Sequence, residues 1–132
     1  MDGKLRTAPL RILVIEDSRD FADVVVEAVR ALGHEPTAEY SMAGALRQLS
    51  DTSPFDVVMT DLTFPDGGDG LDVARRVRSL RSAGKCPIRS LVAISGHDDY
   101  ETRDAARHEG FDHYLCKPVT FEQIEDVLLQ VS

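Results

Sequence analysis

The chain has 132 residues, 42% hydrophobic and 29% charged, which suits one compact water-facing domain. Its net charge of −8 argues against direct nucleic-acid binding, because a phosphate backbone would repel it. No apolar run approaches the roughly 20 residues that a membrane span needs, and Met1–Pro9 has no apolar signal core, so no membrane association and a cytoplasmic location are expected.

Residues 1–9 read as a flexible leader and 10–132 as the domain. Arg11–Glu16 (RILVIE) predicts an apolar, β-branched strand. Phe21–Leu32 reads as a helix, with Ser18 as N-cap and Gly33 as stop. Glu35–Tyr40 is a weak, polar strand. Met42–Leu49 is a helix with Ser41 as candidate cap. Asp56–Thr60 (DVVMT) is a buried strand, and Thr63–Gly70 is a loop rich in Pro, Gly and Asp. Leu71–Leu80 carries apolar residues at helical period. Ser90–Ser95 is a strand, Tyr100–Glu109 a polar helix and Asp112–Cys116 a short strand. Phe121–Val131 is a helix, and Thr120 with Gln123 has the spacing of a capping box.

Five β-α units in strict alternation imply an α/β, doubly wound, five-stranded parallel sheet with helices on both faces. The first, third and fourth strands are apolar enough to be central. The second (EPTAEY) and fifth (DHYLC) are more polar and belong at the edges. Right-handed crossovers then give the flavodoxin-like order 2-1-3-4-5.

In such sheets, ligands bind beyond the carboxyl ends of the strands, where the strand order reverses. Glu16 and Asp17 end the first strand there, Asp61 the third and Ser95 the fourth, and Lys117-Pro118 follows the fifth. Neighbouring strands lie about 4.8 Å apart, so the three carboxylates must crowd and repel. A bound cation removes that conflict, and oxygen-only ligands suit Mg2+. Asp61 is then a candidate nucleophile toward phosphorus. Lys117 can reach back to neutralise a phosphoryl oxygen, and Ser95 can donate a hydrogen bond to another. Taken singly, each of these residues is an ordinary turn or loop residue. Their meeting on one sheet edge gives them weight. Cys86 and Cys116 form no CxxC and read as free thiols, and His34, His97, His108 and His113 show no zinc-type spacing.

These residues resemble the receiver domains of two-component response regulators over about Leu10–Leu129. The resemblance rests on ILVIED at 12–17, VVMTDLTFPD at 57–66, LVAISG at 91–96 and GFDHYLCKPV at 110–119. It implies a phosphoacceptor switch in which Asp61 takes a phosphoryl group from a phosphohistidine on a sensor histidine kinase or a histidine phosphotransfer protein. Mg2+ would be held by Glu16, Asp17, Asp61 and the backbone carbonyl of Thr63. Tyr114 matches an aromatic that turns inward when the hydroxyl, here Ser95, moves toward the phosphoryl group. Thr63 and His97 occupy variable positions that tune the lifetime of that group. The chain would catalyse only its own phosphorylation and dephosphorylation. As a monomer or weak dimer, it would signal to an unidentified downstream protein through the fourth helix, fifth strand and fifth helix, a polar and transient face.

Glu16 stands where Asp is commoner, Ser95 where Thr is commoner, and the loop Pro65–Gly70 reads as one residue longer than usual. The alternative is a pseudo-receiver that binds partners without taking phosphate. An aspartate-nucleophile phosphatase is disfavoured because Thr63 stands where a second acid would be needed. No P-loop or GxGxxG supports nucleotide binding.

Overall fold

The structure is a computed structural model that describes residues 8–50, 54–64 and 69–131. The elements run β1 (Arg11–Ile15), α1 (Arg19–Ala31), β2 (Glu35–Glu39), α2 (Met42–Gln48), β3 (Val57–Asp61), α3 (Leu71–Ser82), β4 (Ser90–Ser95), α4 (Tyr100–Glu109), β5 (His113–Cys116) and α5 (Phe121–Leu129). All strand pairs are parallel and the order is β2-β1-β3-β4-β5, as strand polarity predicts.

The alternation of side chains along each strand builds two cores. Ile12 and Val14 of β1, Val57 and Met59 of β3, and Val92 and Ile94 of β4 face α1 and α5, where they meet Val25, Val29, Ile124 and Leu128. Leu13, Ile15, Val58, Leu91 and Ala93 point the other way, onto Met42, Ala45, Val73, Val77 and Ala106 of α2, α3 and α4. Every residue of β3 and β4 is buried, whereas β2 has none and β5 has only Leu115. The polar edge strands therefore sit where one side of each meets solvent.

Local signals set most element ends. Ser18, Ser41, Asp99 and Thr120 each accept a backbone N–H from the first turn of the following helix. Gly33, at φ +88°, takes the left-handed turn that follows α1. The capping box at α5 is complete, with Gln123 accepting the Thr120 N–H at 2.9 Å and Thr120 accepting the Gln123 N–H at 3.1 Å. Thr120→Ala removes half of it and is expected to lower unfolding free energy by about 1 kcal/mol in a denaturant titration.

One boundary differs in a way that bears on the site. The third strand starts at Val57, and Asp56 instead caps the opposite end of the sheet. It accepts the Arg11 N–H at 2.9 Å and lies near the guanidinium groups of Arg11 and Arg89. The strand correspondingly runs through Asp61, which pairs with Ile94 of β4. The expected leader lies outside the described residues except for Ala8 and Pro9. So does most of the Pro65–Gly70 loop, of which Asp69 and Gly70 are described.

Candidate functional site: an acidic cluster at the strand ends

The site forms where β1 and β3 lie side by side and their following connections diverge to opposite faces of the sheet. Glu16 follows β1 directly. Its own N–H donates to Glu39 O at 3.0 Å, and its carboxylate accepts the Ser18 N–H at 2.9 Å, so backbone on both sides fixes it. Asp17 beside it is exposed. Asp61 closes β3 and is only 7% exposed. Carboxylate oxygens of Glu16, Asp17 and Asp61 all lie within 4.8 Å of one another.

Lys117 is placed by one further backbone bond beyond β5, its N–H donating to Ser95 O at 2.8 Å. From there its ammonium reaches 3.2 Å from Asp61 Oδ2 and 2.9 Å from Glu16 Oε1. It also sits 4.7 Å from the centroid of the Phe21 ring at the start of α1. The contact with Glu16 is an ion pair without a well-directed hydrogen bond, which leaves the buried Oε1 open to another positive partner. The second Asp61 oxygen, Oδ1, accepts the Thr63 N–H at 3.2 Å.

The electrostatics follow from burial. Desolvation pushes the Glu16 carboxyl above its ordinary range. Lys117 and the Ser18 N–H pull it back, and the charge of Asp61 adds to the rise. Burial draws the Lys117 ammonium down, but the close contact with Glu16 and the charge of Asp61 more than offset it, so it is held above its usual value and stays charged. Three carboxylates and one ammonium leave a formal charge of −2. A hard divalent cation with oxygen ligands neutralises that charge, and exposed Asp17 keeps one side open to solvent. The donor set therefore fits Mg2+.

The remaining predicted residues form a second tier. Ser95 is 1% exposed, and its hydroxyl accepts the His97 N–H at 3.1 Å, leaving its own proton available to donate. Thr63 and His97 face a cleft of about 390 Å3 beside the cluster, lined also by Asp69, Glu101 and Thr102. Tyr114 does not reach the cluster; its hydroxyl donates to His97 O at 2.5 Å.

Three features escape a reading of the sequence. The Glu16–Lys117 pair joins residues that follow β1 and β5, with β3 and β4 between them. Phe21 looks like a plain core position on an amphipathic helix. Gly70 lies so close to Asp61 that a Cβ there would stand 2.3 Å from Asp61 O and 2.6 Å from Leu62 Cα. Its N–H donates to Leu62 O at 2.9 Å, and the Thr63–Asp69 bridge closes the loop beside it. In a segment with several glycines, nothing local singles it out.

The chain is thus a doubly wound α/β domain with a buried strand-end aspartate, an acidic pair beside it and a lysine across from it. The family model of the response regulator receiver domain matches residues 12–129, and the chain belongs to that family. It is 31% identical over 117 residues to a response regulator receiver protein of Anaeromyxobacter sp. (strain Fw109-5), covering 89% of this chain and 46% of that one. It is 29% identical to the sensor histidine kinase GacS of Pseudomonas protegens, covering 91% of this chain and 13% of that one. The chain thus spans less than half the length of either relative. Among solved structures, a receiver domain from Clostridium thermocellum aligns at 26% identity and TM-score 0.78, covering 90% of each chain. The receiver domain of the sensor histidine kinase PA1611 of Pseudomonas aeruginosa, with magnesium coordinated in its active-site cleft, aligns at 22% identity and TM-score 0.78. That alignment covers 94% of this chain and 98% of that one. Among the described residues, no helix is long and apolar enough to cross a membrane.

Proposed function

We propose that this receiver domain is a phosphoacceptor switch in which Asp61 takes a phosphoryl group from a phosphohistidine. The observation that carries the reading is the convergence of Glu16, Asp17, Asp61 and Lys117, whose charges suit one divalent cation and one phosphoryl group. The Asp61 carboxylate attacks phosphorus, the P–N bond to the donor imidazole breaks, and the bonding pair leaves with the nitrogen. Asp61 is aligned for this by its bonds to the Thr63 N–H and Lys117. Lys117 keeps a positive charge beside the oxygens on which negative charge builds. Ser95 can donate its free proton to the same group.

Glu16, Asp17, Asp61 and the Thr63 carbonyl would hold Mg2+, which when bound offsets charge on the phosphoryl oxygens. Thr63 and His97 would govern water access and hence the lifetime of the acyl phosphate, a reading supported by their both lining the adjoining cleft. The domain turns over no external substrate beyond its own phosphorylation and dephosphorylation. Its partners are a sensor histidine kinase or histidine phosphotransfer protein and a downstream protein that reads the α4, β5 and α5 face. The setting is cytoplasmic.

The test is labelling of the protein with acetyl phosphate, read by intact mass. Labelling is expected with magnesium and lost when EDTA removes the metal. Labelling that is indifferent to EDTA overturns the metal assignment. Absence of labelling together with absence of magnesium binding points to a partner-binding module that takes no phosphate.

A further inference from the structure

The connection between β4 and α4 is held by a chain of contacts that runs outward from the site. The Ser95 hydroxyl accepts the His97 N–H, and the His97 carbonyl accepts the Tyr114 hydroxyl. The Tyr114 ring packs half-buried against the core on the α3 and α4 side. Arg103 of α4 lies over that ring, its guanidinium carbon 4.7 Å from the centroid. Arg103 Nε donates to Asp98 Oδ1 at 2.9 Å, and Nη2 donates to the same oxygen. Asp98 belongs to the same connection as His97, so Arg103 ties that segment to Tyr114 from outside.

An aromatic on an edge strand can choose between a rotamer against the sheet and one in solvent. An Arg on a charged helix is ordinarily a solvated side chain, and an isolated surface pair adds little. Here the neighbouring acid Asp99 is occupied as the N-cap, accepting both the N–H and the hydroxyl of Thr102. Arg107 takes Asp104. Arg103 is thus left to Asp98 and the ring face, and a planar guanidinium can serve both at once.

We propose that Arg103 is a positioning residue that seats Tyr114 against the β4–α4 connection before any phosphoryl group arrives. Arg103 thereby sets the resting balance of the switch: a better-seated Tyr114 leaves less for phosphorylation to change on the α4 and β5 face. This consequence rests on the phosphoacceptor reading; the seating itself does not.

The test uses the full chain labelled with 3-fluorotyrosine, observed by fluorine NMR without magnesium or phosphoryl donor. The chain has three tyrosines, and loss of one resonance in Tyr114→Phe assigns the relevant signal. In Arg103→Ala the Tyr114 resonance is expected to move toward its solvent-exposed value, the seated-to-unseated ratio falling about two- to fivefold. The Tyr40 resonance, whose ring lies under Arg19, should stay in place. Arg103→Lys should recover part of the shift, since an ammonium still caps the ring but lacks the planar fork. Asp98→Asn should move the signal the same way and add nothing to Arg103→Ala. An unmoved Tyr114 signal in Arg103→Ala overturns the proposal. So does an equal movement of Tyr40, which signals general loosening. Labelling of Asp61 is a separate measurement, so the two readings can fail independently.

Discussion

Asp61→Asn is expected to abolish labelling by acetyl phosphate, a loss on the order of 10^4-fold or more, the scale of removing a covalent nucleophile. The substitution is isosteric, and its amide oxygen can still accept the Thr63 N–H. It also removes one of three crowded carboxylates, so repulsion with Glu16 falls. The ion pair of Asp61 with Lys117 is lost as well, while Lys117 keeps Glu16, so thermal stability should change little, and circular dichroism separates lost chemistry from lost folding. Asp126→Asn, on the exposed face of α5, is the control and should label normally. Wild-type labelling of Asp61→Asn, or equal loss in Asp126→Asn, rules out Asp61 as the acceptor.

Gly70→Ala should destabilise the fold by about 2–3 kcal/mol, the upper part of the range for forcing a methyl group into filled space. The added Cβ would meet the backbone of Asp61 and Leu62, and backbone at the end of a fully buried strand cannot swing aside. The same clash displaces Asp61, and a shift of that kind can slow phosphoryl transfer about a hundredfold even in the folded fraction. Gly44→Ala is the comparison. There the Cβ would meet the tip of the flexible Glu39 side chain, and better helix propensity in α2 offsets the loss of the Glu39 contact with Gln48. A urea titration in which the two variants lose equal stability would show that close approach to Asp61 is not what Gly70 provides.

Much of this architecture is legible before folding because the signals are local or periodic. The caps at Ser18, Ser41 and Thr120 act within one helical turn. The contrast between SLVAIS in β4 and EPTAE in β2 reports which strands have two covered faces, and with handedness it yields the strand order. Asp56 is harder. As an acidic residue before an apolar run it reads as part of the strand, yet the free N–H of Arg11 and two guanidinium groups draw it into capping the sheet.

The sequence by itself determined the fold and the membership of the acidic cluster, because strand ends and strand order put Glu16, Asp17 and Asp61 together whatever their side-chain rotamers. Only the tertiary structure decided how Lys117 divides itself between Asp61 and Glu16, why Gly70 must lack a side chain, and that Arg103 covers Tyr114. Each of those depends on ångström-scale distances between residues remote in sequence, which alternation and capping do not encode.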